Sequence, residues 1–228
     1  MINLIHGDCL EVMKPYMGTC DLICTDPPYL LTPGGSDSGS MGGCLKPSRY
    51  KNDRNLVPCN ITWQQIMEIC YNLLKPNTQA YIMSNNRNLK EALQEAENIG
   101  FGLHNILVWD KGTVTPNRWY MNGLEFCLFL YKSKTKELND MSMGNLFKAK
   151  NIKGNGHPTE KPVQLMQRWI EQSTQENDLV CDPFMGSGTT ALASFSSNRK
   201  FVGCEIDDTY YELSVKRLEE HKKQGRLF

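Results

Sequence analysis

Apolar positions along the chain fall into two patterns that alternate from end to end. Short apolar runs, which are typical of buried strands, cover residues 21–25, 80–83, 103–109, 125–131, 179–181 and 201–204. Helical spacing of apolar residues is found over residues 66–74, 89–99, 162–170, 189–195 and 208–222. Strands that alternate with helices predict an α/β fold, in which a mostly parallel, doubly wound sheet is covered by helices on both faces.

Two long stretches lack either pattern. Residues 33–60 are rich in Gly, Ser and Asn, and residues 132–156 are polar and rich in lysine. Both are too long to be simple connectors between neighbouring elements. Because the 228 residues suit one large domain, we predict a single domain over residues 1–228 in which these two stretches are loop insertions.

Composition and charge narrow the class of protein. The chain is 40% hydrophobic and 22% charged, which is ordinary for a globular protein. Its 25 Lys and Arg residues balance its 25 Asp and Glu residues, so the net charge indicates no partner. Cations nevertheless cluster at residues 46–54 and 132–153. Such segments can contact phosphates, although taken alone they are more often solvated loops.

The lack of targeting signals and the spacing of the cysteines argue against several classes of protein. No apolar run approaches the roughly 20 residues that span a bilayer, and residues 1–8 lack the features of a signal peptide. The nine cysteines are scattered without a C-x-x-C pair, so we predict neither a disulfide framework nor a metal site. Several cysteines lie in apolar runs, where we expect buried thiols: Cys24, Cys127, Cys181 and Cys204. We therefore expect a cytoplasmic protein without membrane contact.

A glycine turn follows the strand at residues 179–181. Gly186, Gly188 and Ala191 have the G-x-G-x-x-A spacing, and a helix begins at about Thr189. Glycines allow a ligand close to the backbone, and a helix N-terminus offers free N–H groups to an anion. Glu205 follows about 20 residues on, where an acid can accept the hydroxyls of a ribose. The pattern predicts a nucleoside-containing ligand, with an ordinary tight turn as the alternative; no Gly-Lys-Ser/Thr follows, which excludes a P-loop.

A second group of residues, Asp26-Pro27-Pro28-Tyr29, directly follows the apolar run at 21–25. It places a carboxylate at the carboxyl end of a strand, beside an aromatic ring. The two prolines have no N–H group and a fixed φ, so their carbonyls can face a ligand from a rigid backbone. This combination favours a functional site over an incidental turn.

The two groups together resemble the motifs of the S-adenosylmethionine-dependent DNA amino-methyltransferases. Asp-Pro-Pro-Tyr resembles their catalytic motif, and Asp-Pro-Phe-x-Gly-Ser-Gly-Thr at 182–189 resembles their cofactor motif. Residues 6–10, 157–162 and 201–205 resemble further elements of the family: His-Gly-Asp-Cys-Leu, His-Pro-Thr-Glu-Lys-Pro and Phe-Val-Gly-Cys-Glu. The resemblance runs in order from residue 4 to about residue 222. The catalytic motif precedes the cofactor motif, as in the circularly permuted beta class.

The resemblance implies a Rossmann-like methyltransferase fold, S-adenosylmethionine as cofactor with S-adenosylhomocysteine as product, and DNA as partner. It implies four catalytic residues: Asp26, Pro27, Pro28 and Tyr29. It implies a larger group of cofactor-binding residues: Asp8, Cys9, Thr159, Lys161, Asp182, Phe184, Gly186, Ser187, Gly188, Thr189, Thr190 and Glu205. In this view residues 132–156 are a candidate for a small target-recognition region.

The chemistry of an exocyclic amine agrees with these roles. The nitrogen is a poor nucleophile because its lone pair is delocalised into the ring. If Asp26 and the Pro27 carbonyl each accept one amine hydrogen, the nitrogen moves toward tetrahedral geometry, so that positioning and electrostatics supply catalysis. Because the amine is buried in a duplex, the base must be flipped out, and Tyr29 is the expected stacking partner.

Within the family that the chain resembles, Asp at the first position of the catalytic motif is more typical of adenine enzymes and Ser of cytosine enzymes. The resemblance therefore favours the 6-amino group of adenine, with the 4-amino group of cytosine as the alternative. A glutamine-modifying protein methyltransferase would instead have Asn there. A nicotinamide-dependent oxidoreductase agrees with the glycine spacing and Glu205 but leaves residues 26–29 unexplained. A DNA-binding module without activity is a further alternative, which the intact motifs oppose. The sequence leaves open a homodimer and a cognate restriction endonuclease.

Overall fold

The computed structural model describes residues 1–28, 61–115, 120–150 and 161–224. The strands within them, numbered along the chain, are β1 (Ile2–His6), β2 (Cys20–Thr25), β3 (Leu74–Ser84), β4 (Phe101–Thr115), β5 (Asn122–Lys132), β6 (Leu146–Lys148), β7 (Leu179–Asp182) and β8 (Lys200–Glu205). The helices are α1 (Cys9–Val12), α2 (Trp63–Leu73), α3 (Leu89–Ile99), α4 (Val163–Ser173), α5 (Thr189–Ser196) and α6 (Asp208–Gln224), with a 3-10 helix at Lys14–Tyr16.

These strands form one sheet in the order β1-β8-β7-β2-β3-β5-β4-β6. The first five strands of that order are parallel to one another, and β6 is parallel to β4. The predicted α/β fold is therefore confirmed, with one refinement: β5 runs antiparallel to both β3 and β4. The six residues between β4 and β5 are too few for the crossover that a parallel pair would need.

Helices cover both faces of the sheet, as predicted. Alternation along β2 places Ile23 in the core beneath α1, α2 and α3, and Leu22 and Cys24 in the core beneath α4 and α5. On the second face Tyr81 stacks between Phe129 and Trp169, with ring centroids 4.7 and 5.4 Å away. These stacked rings fix α4 against the middle of the sheet.

Local sequence signals set several element boundaries. Thr62 and Gln65 form a capping box at the start of α2. The left-handed Gly100, at φ 105°, closes α3 at the residue where the sequence predicted its end. β3 begins at Leu74, immediately after α2, and is longer than the predicted run at 80–83.

The two edge strands of the sheet were not predicted. β1 is half-exposed and lacks a continuous apolar run, while β6 has three residues and lies inside the lysine-rich stretch 132–156. Part of that predicted insertion is thus an eighth strand, because its backbone pairs with β4. The predicted insertion at 33–60 lies outside the described residues, and the single-domain organisation stays a prediction.

The structure also bears on the cysteines and on membrane contact. Seven cysteines lie in the described ranges, and all are free and buried, including the four expected to be so. In the same ranges no helix is both long and apolar enough to cross a bilayer.

Candidate active site

Four predicted site carboxylates in the described part of the chain lie along one edge of the sheet. The neighbouring parallel strands β1, β8, β7 and β2 end at this edge, where they carry Asp8, Glu205, Asp182 and Asp26 respectively. Adjacent strands are about 4.8 Å apart, so four strand ends span roughly 14 Å. The fold therefore brings the two predicted motifs and the Gly-Asp element to one site.

The direction of the chain reverses between β7 and β2. From β7 the chain passes through α5 to β8 on one side, and from β2 it passes through α2 to β3 on the other. The crevice above such a switch point is the usual ligand site of an open α/β sheet. Across it, the Thr25 hydroxyl donates a hydrogen bond of 2.6 Å to the Asp182 carboxylate. This bond joins the end of β2 directly to the start of the glycine turn.

The glycine turn presents a helix N-terminus to the crevice. Gly186 and Gly188 have φ of 51° and 82°, which favour glycine. Gly188 begins α5 without a side-chain cap, so the N-cap residue leaves the first N–H groups of the helix available to a ligand. A Cβ on Gly188 would lie 3.0 Å from the Ser214 Cβ, so close packing against α6 also requires glycine here.

Arg217 of α6 holds the turn from behind. Its guanidinium donates to the Ser187 hydroxyl at 2.7 Å and to the Ser187 carbonyl at 2.6 Å. Arg217 was not predicted, because a cation on a mostly polar helix gives no local signal of its target. Ser187, predicted to bind cofactor, thus already has its side chain engaged by Arg217.

Asp182 is the anchor of the turn. Its buried carboxylate accepts hydrogen bonds from the Thr25 hydroxyl (2.6 Å), the Phe184 N–H (3.1 Å) and the Thr190 hydroxyl (2.7 Å). Burial raises the pKa of Asp182 to about 6, while the three donors act in the opposite direction. Of its neighbours, Thr189 and Thr190 are buried and Phe184 is half-buried against the core. Asp182, Phe184 and Thr190 therefore shape the turn through contacts with one another.

The raised pKa of Asp182 predicts a pH-dependent stability. The unfolded carboxyl has its ordinary pKa of 3.8, so between the two values the folded protein binds more protons and loses stability as the pH rises. From pH 4.5 to pH 7.5 this group should lower the free energy of unfolding by about 2 kcal/mol. Urea unfolding at both pH values measures the change in the free energy of unfolding for wild type and for Asp182→Asn. The two changes should differ by this amount, because the other titratable groups contribute equally in both proteins. An identical pH dependence in the two proteins would contradict the assignment.

Glu205 connects the end of β8 to the turn. Its Oε2 accepts the Gly186 N–H and its Oε1 accepts the Asp207 N–H, each at 2.9 Å. Burial raises the pKa of Glu205, and these N–H donors lower it. A carboxylate oxygen has the capacity to accept more than one hydrogen bond, so Glu205 can accept ribose hydroxyls in addition to these two N–H groups.

The Gly-Asp element after β1 lies beside Glu205. The Gly7 N–H donates to the Glu205 carbonyl at 2.9 Å, and the exposed Asp8 caps α1 by accepting the Leu10 N–H at 2.9 Å. Cys9 is buried, and burial, with a smaller effect of Asp8, raises its pKa to about 12. Its thiol is therefore neutral and packs below the site.

The end of β2, where the predicted catalytic Asp26 lies, holds a group of paired charges that the sequence did not predict. The Asp26 Oδ2 lies 2.6 Å from the Lys161 Nζ, which lies 3.1 Å from the Glu125 Oε2. Lys111 in turn lies 3.3 Å from the Glu125 Oε1. The structure thus places Lys161, predicted among the cofactor-binding residues, at the predicted catalytic carboxylate. Glu125 is the first residue of the apolar run at 125–131. A carboxylate within an otherwise apolar strand was the sequence signal that could have identified it.

The remaining predicted site residues are distributed as follows. Pro27 is buried and Pro28 is exposed, directly after Asp26. Tyr29 and Thr159 lie outside the described residues, and their roles stay predictions.

The structure separates the lysines of residues 132–153. Lys132 donates to the carbonyls of Tyr71 and Leu74 at 2.8 and 2.9 Å, at the edge opposite the site because β5 is antiparallel. Lys148 and Lys150 are exposed at the end of β6, which is parallel to β4 and therefore finishes on the site's edge. The lysines of this stretch that the structure describes are therefore divided between two ends of the sheet, and Lys153 lies outside the described residues.

Comparisons with known proteins agree with this geometry. Residues 20–216 match a protein family described as DNA methylase. The Type II methyltransferase M2.DpnII of Streptococcus pneumoniae is 32% identical over 95% of this chain and 89% of its own length. M2.LlaDCHI of Lactococcus lactis subsp. cremoris is 30% identical over 97% and 91%. The crystal structure of the M1.HpyAVI–SAM complex has a TM-score of 0.72 and 28% identity, covering 95% of this chain and all of that one.

Proposed function

This chain belongs to the DNA methylase family, and from that premise we propose that it methylates the 6-amino group of adenine at a specific DNA sequence. It is an S-adenosylmethionine-dependent DNA methyltransferase, so the nicotinamide-dependent alternative is set aside. The observation that carries the proposal is the meeting of Asp26 and the glycine turn at one switch point, joined through Thr25 and Asp182. Asp at position 26 favours adenine over the 4-amino group of cytosine.

The residues at this edge fit S-adenosylmethionine. The N-terminus of α5, which lacks a side-chain cap, suits the cofactor's carboxylate. Glu205 suits the two ribose hydroxyls, and the exposed Asp8 lies where the adenine is expected. When bound, the cofactor supplies an electrophilic methyl group on its sulfonium sulfur.

The reaction requires the target amine to be held and its developing charge to be stabilised. In our proposal the Asp26 carboxylate and the Pro27 carbonyl each accept one amine hydrogen, which directs the nitrogen's lone pair toward the cofactor side of the crevice. The fixed negative charge of Asp26 then stabilises the positive charge that develops on the nitrogen. Tyr29 is proposed to stack on the flipped base.

Sequencing that detects modified bases tests the function directly. DNA from cells expressing the wild-type protein should carry N6-methyladenine at one short recognition sequence, and DNA from cells expressing Asp26→Ala at the same level should carry far less. Methylation at N4 of cytosine would replace the adenine assignment with its alternative. DNA without either modification, from cells with verified soluble expression, would overturn the proposal.

We further predict that DNA phosphates contact Lys148 and Lys150 and not the lysines at the opposite edge. Replacing both with Ala should weaken binding equally for all sequences and reduce the slope of log K against log salt by about 0.9 per lost contact. The matched control is Lys134→Ala with Lys136→Ala, which removes the same charge from the far edge. An unchanged slope for the first pair, or an equal change for both, would contradict the prediction.

A further inference from the structure

Four charged side chains of alternating sign form a chain that ends on Asp26. Lys111 of β4 pairs with Glu125 of β5, Glu125 pairs with Lys161, and Lys161 pairs with Asp26. We call these four residues the charge chain. Their side chains are between 5% and 23% exposed, with Lys161 the most buried.

Burial on this scale is unusual for lysine and for carboxylates. A buried charge is tolerated when it is paired and hydrogen-bonded, and the charge chain has two cations and two anions. Removing one member leaves its neighbour without full compensation. Lys161 therefore has a fixed position, determined by carboxylates on both of its sides.

That position bears directly on the proposed chemistry. Asp26 must present its carboxylate to the target amine, and its Oδ2 is held by Lys161 at 2.6 Å. A carboxylate held at one oxygen by a buried ammonium group cannot turn freely about its side-chain bonds. Lys161 is itself held by Glu125, which projects from the hairpin formed by β4 and β5.

We propose that Lys161 and Glu125 are positioning residues of methyl transfer: Lys161 orients the Asp26 carboxylate toward the amine, and Glu125 holds Lys161 in place. The proposal rests on the function proposed above. It assigns Lys161 to the reacting centre instead of the cofactor site, to which the family resemblance assigned it. Misplacement of a reacting group by about 1 Å costs up to a hundredfold in rate, which sets the expected scale.

The test is a double-mutant cycle on the single-turnover rate of methyl transfer at saturating cofactor and DNA. Lys161→Met should lower this rate about tenfold to a hundredfold. In an Asp26→Asn background, the same change should lower the rate less than about twofold, because Lys161 acts through the Asp26 carboxylate. Equal factors in both backgrounds would mean that Lys161 acts independently of Asp26, which overturns the proposal.

Cofactor binding separates positioning from a role in the cofactor site. Calorimetric affinity for S-adenosylhomocysteine should change less than about threefold in Lys161→Met. A large loss of that affinity with an unchanged rate at saturation would overturn the proposal in favour of the cofactor role. Wild-type protein that methylates no DNA would instead refute the proposed function.

Further variants keep the test informative if the Lys161→Met protein, which is altered at a buried position, does not fold. Glu125→Gln keeps the shape of the side chain and should lower the rate about threefold to tenfold. Lys161→Arg retains the positive charge, so its rate should be higher than that of Lys161→Met and lower than that of wild type. The matched control is Lys75→Met, because Lys75 pairs at 2.7 Å with Asp21 at the other end of β2. Its rate should equal that of wild type. A wild-type rate in a folded Glu125→Gln protein would remove Glu125 from the proposal.

Discussion

Methyl transfer by the Asp26→Ala variant is expected to be at least about a hundred times slower than by the wild-type protein. This is the usual scale when one preorganised polar group is removed from a reacting centre. The proposed role of Asp26 is to accept an amine hydrogen and stabilise the charge that develops on the nitrogen, and alanine does neither. The single-turnover rate with a tritiated methyl donor measures this effect without interference from product release.

The Asp26→Asn variant makes the same test more specific. Asparagine keeps the shape of the side chain and one acceptor oxygen but lacks the negative charge, so its rate should lie between those of wild type and alanine. Asp21→Asn is the matched control, because Asp21 lies on β2, the strand that Asp26 directly follows, and also pairs with a lysine. It lies at the opposite end of the strand, and its rate should equal that of wild type. A near-normal rate in Asp26→Ala would refute the proposed mechanism.

The sequence predicted those elements whose signal is local. α3 was predicted at the residues where it occurs, because its apolar spacing is regular and Gly100 adopts the left-handed conformation that ends a helix. β1 and β6 were missed because each is an edge strand, stabilised by pairing with one neighbour. The antiparallel direction of β5 follows from the short connection between β4 and β5. The periodicity of apolar residues predicts a strand but does not give its direction.

The same distinction applies to the site. The segments at 26–29 and 182–190 were predicted because their chemistry is contiguous in the sequence. The bond from Thr25 to Asp182 and the ion pair from Lys161 to Asp26 join residues far apart in the chain. The first depends on the strand order, which places β7 beside β2. The second is extended by Glu125, which the pairing of β5 with β3 brings to the same place. A sequence indicates a reactive side chain but not the partner that the sheet places next to it.

Glu205 has a local role in the glycine turn and a proposed role toward the ligand. Its carboxylate fixes the glycine turn through the Gly186 N–H, and it is proposed to accept ribose hydroxyls. Hydrogen bonds to charged groups contribute about 1.5–3 kcal/mol. Glu205→Ala should therefore lower calorimetric affinity for S-adenosylhomocysteine roughly tenfold to a hundredfold. Loss of the turn's support would lower affinity too, so the single variant does not separate the two roles.

A ligand that lacks the ribose hydroxyls separates them. If Glu205 accepts those hydroxyls, wild-type protein should bind the 2′,3′-dideoxy analogue of S-adenosylhomocysteine roughly tenfold to a hundredfold more weakly than the parent compound. In Glu205→Ala the two ligands should bind with affinities within about threefold, because the partner of the hydroxyls is gone. If Glu205 only supports the turn, Glu205→Ala should lower the affinities for both ligands by the same factor. The variant would then still prefer the ligand that has the ribose hydroxyls. That result would assign the ribose to another residue and leave Glu205 as a support of the glycine turn.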